Sequence, residues 1–167
     1  FHNNFDKIIE EILYKLSLGG KIFTAGNGGS AADSQHLSAE LISKYKKERD
    51  PIPSIALTTD TSIITSISND FSYKDIFVRQ IKGLYQKNDL LIAFSTSGNS
   101  KNIIELLKFT KKNNILSILL TGLKNSESLK YCDFSIRVPS NVTPLIQECH
   151  ICIYHTLCEV LELSFNK

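Results

Sequence analysis

His36 and Glu40 stand four residues apart in a stretch that reads as helix, so a metal ion or a reacting sugar could meet both side chains on one face. The spacing is common and by itself is more often that of a solvated or structural pair. His155, with Gln147, Glu148 and His150 ahead of it, adds nitrogen and oxygen donors of the kind that zinc coordination and proton transfer both use. Gln147 and His155 are eight residues apart, so on a straight helix they differ by roughly 12 Å in height and do not share a face. For both to reach one centre, the helix start must be irregular, or one of them must come from a neighbouring subunit.

Two loops have the composition of anion sites. Residues 21–25 read as a strand that runs into Gly26-Asn27-Gly28-Gly29-Ser30 and then a helix, a junction that turns backbone N–H groups and a helix dipole toward whatever lies beyond the strand. The apolar run 90–94 leads in the same way into Ser95-Thr96-Ser97-Gly98-Asn99-Ser100 and a helix over 101–112. The first loop lacks the full G-x-G-x-x-G spacing and the Gly-Lys-Ser/Thr of a nucleotide loop. Singly, each is as well explained by a turn or a helix cap. Together, at like positions in one sheet, they point to a sugar-phosphate site in which hydroxyls take the place of a lysine.

The remaining elements must position these groups. Phe5, Ile8, Ile9, Ile12, Leu13 and Leu16 predict an amphipathic helix over 5–17, closed by Gly19-Gly20. Beyond the His36 helix, which is expected to run to about Tyr45, a strand falls at 54–57 and a helix begins after Asp60 or Thr61 and ends near Asn69-Asp70. A further helix is expected over 73–85, strands at 116–120 and 134–138, a weak helix at 126–131 and a long helix over 143–163. Alternating strands and helices with right-handed crossovers give an α/β fold, a three-layer αβα sandwich around a five-stranded, mostly parallel sheet. Ligands in such sheets bind beyond the strands' carboxyl ends, where both polar loops fall.

The 167 residues, 42% hydrophobic and 22% charged, suit one domain with a real core, taken as 1–167. A net charge of +2 supplies no general field for nucleic acid or an acidic membrane, so a small molecule is the expected partner. No run approaches the roughly 18 apolar residues of a membrane span and the first residues carry no signal pattern, which makes the cytoplasm the default location. The sequence contains no Met, so the numbered chain is expected to begin inside a longer product, with its N-terminal helix truncated. Cys149-x-x-Cys152 invites a redox or zinc reading, but no second pair completes a metal site and the stretch is helical. Small buried apolar residues are the better account of the cysteines.

Taken jointly, Gly26 to Asp33, Gln35-His36, Ala39-Glu40-Leu41, Asn69-Asp70, Ser95 to Ser100 and Ile146-Gln147-Glu148 with His155 make the chain resemble the phosphoheptose (sedoheptulose 7-phosphate) isomerase family of the sugar isomerase (SIS) superfamily, over residues 5–163. The resemblance implies a flavodoxin-like SIS fold and a homotetramer with active sites near subunit interfaces. It also implies one zinc ion per subunit and conversion of sedoheptulose 7-phosphate to D-glycero-D-manno-heptose 7-phosphate for lipopolysaccharide or capsule. By motif position zinc would lie with His36, Glu40, Gln147 and His155. Substrate would meet Asn27, Gly28, Gly29, Glu40, Asn69, Asp70, Ser95, Thr96, Ser97, Ser100 and Gln147. Glu40 and His155 would be the acid-base pair, in an order the sequence leaves open. Two features depart from the family pattern. Leu145 stands where members often carry Arg, and the helical region before the first strand is short. Relatives resembling this family also act as non-catalytic binding proteins, one of which associates with the replication initiator, and a sugar-phosphate sensor is a further alternative. Both classes would dispense with the Glu40 and His155 pair that this chain keeps.

Overall fold

The structure, a computed structural model, describes residues 2–165. Its sheet is parallel throughout, in the order β2-β1-β3-β4-β5, so the expected mostly parallel sheet has no antiparallel member among the described residues. The strands are β1 (Ile22–Ala25), β2 (Ser54–Ala56), β3 (Leu90–Ser95), β4 (Leu116–Thr121) and β5 (Phe134–Arg137). Every residue of β1, β3 and β4 is buried, which is why these segments read as unbroken apolar runs and not as alternating patterns.

Side chains leave each strand alternately toward two cores. From β3, Leu90, Ile92 and Phe94 pack with α1 (His2–Ser17), α2 (Gly29–Ile42) and α6 (Thr143–Phe165), while Leu91 and Ala93 pack with α3 (Thr61–Asp70), α4 (Ile76–Leu84) and α5 (Lys101–Lys112). Each fully buried Leu, Ile or Phe contributes about 1.5–3 kcal/mol by leaving water. α1 ends as its two glycines require: Gly20 N–H donates to Lys15 O, Gly19 N–H donates to Leu16 O, and Gly19 has φ +81°.

α2 sits close on the sheet because the face it presents to β1 and β2 is small and hydroxylated. Ser30, Ser34 and Ser38 follow one another at four-residue steps and all are buried. Thr24 Oγ1 donates to Ser34 O (2.8 Å) and pairs with Ser38 Oγ (2.9 Å), and Ser38 Oγ meets Ser54 Oγ at 2.9 Å. These hydroxyls satisfy one another, and Leu37 and Leu41 fill the adjoining core.

Several local expectations change. The helix expected over 73–85 is a 3₁₀ turn, Tyr73–Asp75, running into α4, and the weak helix at 126–131 is the 3₁₀ turn Glu127–Lys130. α2 ends at Ile42, short of Tyr45, because Glu162 takes up the backbone of residues 45–47. Of the cysteines only Cys158 is buried, while Cys152 is exposed on the outer face of α6.

Candidate active site

In this strand order the chain turns from β1 toward β2 and then returns to β3 on β1's other side, so a crevice opens where the β1–α2 and β3–α5 loops part. The two loops are tied across it by a reciprocal amide pair. Asn27 Nδ2 donates to Asn102 Oδ1 at 2.9 Å and Asn102 Nδ2 donates to Asn27 Oδ1 at 2.8 Å, while the Tyr73 hydroxyl donates to the same Asn27 oxygen at 3.0 Å. An open cavity of about 540 Å³ lies here, lined by Asn27, Ser72, Tyr73, Lys74, Ser100, Lys101 and Asn102. Of the expected substrate residues it brings together Asn27 and Ser100. Ser95 is buried, its hydroxyl accepting from Gly98 N–H (3.1 Å) and meeting Ser100 Oγ at 3.2 Å, while Thr96 is half-buried and Ser97 exposed. Asn69 and Asp70 hydrogen-bond each other, exposed at the end of α3.

Along α2 lies a second group. His36 Nε2 and Glu40 Oε1 are 3.1 Å apart, and one donor atom from each of His36, Glu40 and His155 falls within 4.8 Å of the others. The His155 ring stands edge-on to His36, with centroids 5.1 Å apart, and tilts over Tyr45 at 5.4 Å. Its Nε2 is buried without a hydrogen-bond partner among the described residues. Burial, and then the neighbouring His36, lower the affinity of His155 for a proton, with Glu40 acting the other way. A neutral imidazole with an unclaimed nitrogen, beside a second imidazole and a carboxylate, is the donor set of an N/O metal site with room for a further ligand. The residues therefore fit zinc.

Two more residues back this trio. The Tyr154 hydroxyl lies 2.8 Å from His36 Nδ1, so it can fix which His36 nitrogen faces Glu40. Asp33, three residues before His36, is buried, which raises its carboxyl to about 6 against the pull of His36. Tyr154 belongs to the same buried stripe of α6 as Ile146, Leu157 and Leu161, and sequence alone reads it as core. Asp33 was detectable as a carboxylate three residues from His36 on one helix.

α2 and α6 run side by side in the same direction, and this decides where Gln147 goes. α6 is helical without a break from Thr143, so the irregular start that would bring Gln147 level with His155 does not occur. Its carboxamide instead covers Gly29 at the head of α2, where a Cβ would lie 2.3 Å from Nε2, about two turns from His36. Gly29→Ala should therefore displace the Gln147 side chain and leave the backbone in place. Its effect on activity is expected to match that of Gln147→Ala, and the double variant should be no worse than either single one. Independent, additive losses would show that the contact has no functional consequence.

His150 and Glu148 do not join the trio: Glu148 is exposed, and His150 is fully buried beneath Phe94 with ring centroids 5.9 Å apart. Burial lowers the His150 imidazole to about 4, with the Thr121 backbone acting weakly the other way. The folded state therefore takes up this proton at lower pH than the unfolded chain does. Stability should be complete above about 6.5 and fall by on the order of 3 kcal/mol as the pH drops toward 4. Urea unfolding at pH 7 and pH 4.5 should show a smaller acid loss in His150→Leu than in the parent. Equal losses would place the titrating group elsewhere.

The SIS domain pattern matches residues 2–122. A phosphoheptose isomerase of Clostridium acetobutylicum is 48% identical over 155 residues, covering 93% of this chain and 79% of that protein. The structure of a phosphoheptose isomerase from Francisella tularensis superposes with a TM-score of 0.92 at 32% identity, covering 96% of this chain and 86% of that one. That of phosphoheptose isomerase GmhA from Neisseria gonorrhoeae gives 0.88 at 36% identity, with 96% and 85% covered.

Proposed function

The chain belongs to the phosphoheptose isomerase family of SIS-domain proteins, and from that premise we propose that it interconverts sedoheptulose 7-phosphate and D-glycero-D-manno-heptose 7-phosphate, with Glu40 and His155 moving the proton. The observation that carries the assignment of roles is the convergence of His36, Glu40 and His155 from two helices.

Aldose and ketose exchange by moving a proton between adjacent carbons through an enediol, which needs a base, an acid and stabilisation of the developing oxygen charge. Glu40 is held through Oε1 by His36, which leaves Oε2 to take or return the carbon-bound proton. His155 is biased toward its neutral form and is suited to exchange a proton with the sugar oxygens. Zinc bound by His36, Glu40 and His155 would supply Lewis-acid stabilisation of the enediolate, and Gln147, which lies over Gly29 in its own chain, would join them only across a subunit contact. The phosphate is assigned to Ser95, Thr96, Ser97 and Ser100 and to the start of α5, with Asn27, Gly28, Gly29, Asn69 and Asp70 along the sugar. Fixing the phosphate places the far end of the sugar for reaction.

We further assign the chain to a homotetramer in the cytoplasm, serving heptose synthesis for a surface polysaccharide. The separation of Gln147 from His155 along α6 favours a site completed between subunits. Val142, Leu145 and Leu163 on and beside that helix expose apolar surface. No helix among the described residues is long and apolar enough to cross a membrane. Incubation with sedoheptulose 7-phosphate, followed by NMR for the aldose, tests the reaction; absence of turnover with zinc present would overturn it. Light scattering tests assembly, and a monomer fully active at low concentration would remove the shared site.

A further inference from the structure

Behind the trio, where α2 gives way to the loop toward β2, lies a buried ion pair that the reaction as described does not use. The side chains of Arg49 and Glu162 are 1% and 3% exposed, and Arg49 Nε lies 3.6 Å from Glu162 Oε2. Each partner is bonded to the backbone of a different part of the catalytic corner. Arg49 Nη2 donates to the carbonyl of Glu40 at 2.8 Å, and Nη1 donates to that of Leu41 at 2.8 Å and of Asp50 at 3.0 Å. The guanidinium thus closes the last turn of α2 by gripping the peptide unit that carries the Glu40 side chain. Glu162 accepts the N–H groups of Tyr45 (3.0 Å), Lys46 (3.0 Å) and Lys47 (2.9 Å). The Tyr45 ring, fixed by this bonding of its own amide, bears on His155, which lies seven residues before Glu162 and so about two turns away on nearly the same face of α6.

We propose that Arg49 and Glu162 are positioning residues, which hold Glu40 and His155 at a fixed separation across the α2–α6 seam. Buried ion pairs are poor devices for stability, because an apolar pair of like volume usually serves as well. What this pair provides and an apolar pair cannot is direction: one end aims at the Glu40 carbonyl, the other at the amide of the residue that packs on His155. Misplacing a reacting group by about 1 Å can cost as much as 10²-fold in rate.

The inference rests on the isomerase reading, and its test separates the two. In the full-length chain, Arg49→Lys keeps the charge but loses the planar fork, and Glu162→Gln keeps acceptor oxygen and size but loses the charge. Both should fold, as judged by circular dichroism and a cooperative thermal transition. Arg49→Lys is expected to lower kcat by about 10- to 100-fold with KM within about twofold of the parent. Zinc affinity, measured by calorimetry on metal-free protein, should fall by at least about tenfold. Glu162→Gln should show the same pattern, milder, and carries the test if Arg49→Lys fails to fold. A folded variant with parental kcat and parental zinc affinity, or one altered only in KM, would reduce the pair to a stability element and overturn the proposal. If the parent protein itself turns over no ketose phosphate, the isomerase reading falls and the zinc measurement still decides the clamp.

Discussion

Glu40→Gln is expected to slow isomerisation of sedoheptulose 7-phosphate by about 10²- to 10⁴-fold, the contribution usually made by a positioned acid or base. The substitution keeps the volume and an amide oxygen for His36 Nε2, now 3.1 Å from Oε1, and removes the basic carboxylate. Glu40 is half-buried at the last turn of α2, and that turn is held by Arg49 through main-chain carbonyls, so folding should be unaffected. His155→Asn examines the other half of the pair. Because both residues act on one transition state, the double variant should be little slower than the worse of the two. A Glu40→Gln protein that isomerises at the parental rate would remove Glu40 from the proton transfer, whereas a parent that isomerises no ketose phosphate with zinc present would return the chain to the binding-module class.

Complete metal removal should bring turnover below about one-hundredth of the parental rate, and stoichiometric zinc should restore it. The fold should outlast chelation. His36 is 46% exposed in its side chain, and α2 and α6 are anchored by Leu37, Leu41, Leu157 and Leu161 and by the serine ladder, none of which needs an ion. Chelator-treated protein should therefore keep its far-ultraviolet circular dichroism while losing activity. Retained turnover in protein shown metal-free by elemental analysis would eliminate the catalytic ion. Loss of the helical signal on chelation would instead make the ion structural.

Which parts of this were readable from residues alone follows from the range of the interactions. The three central strands announce themselves because burial on both faces leaves no polar alternation. The two loops are legible because glycines and hydroxyls cluster at strand ends. Tyr73–Asp75 was misread because its apolar spacing is that of α4; the break is set by Ser72, an extended residue whose hydroxyl caps Lys74 N–H at 3.4 Å. The pairing of Asn27 with Asn102 depends on β1 and β3 lying side by side, which no local pattern specifies. His150 is a different case. It falls in phase with Ile146, Tyr154, Leu157 and Leu161, and that period should have sent it inward and away from His155, about 100° round the helix at the next position after Tyr154.

The serine ladder under α2 bears on how this enzyme can move. A helix seated on leucines can slide or roll by a fraction of an ångström at little cost, because dispersion contacts have no direction. The hydrogen bond from Thr24 to Ser34 O and those that link Ser38 with Thr24 and with Ser54 resist both displacements, and the bonds from Arg49 stop the far end from unwinding. α2 is accordingly the fixed jaw. Any closure around the sugar is left to a part without such pins: the exposed head of α6 that carries Gln147, where no side chain of residues 143–149 is hydrogen-bonded among the described residues. Substrate entry should then register as chemical-shift change in that segment, with the amides of α2 nearly still.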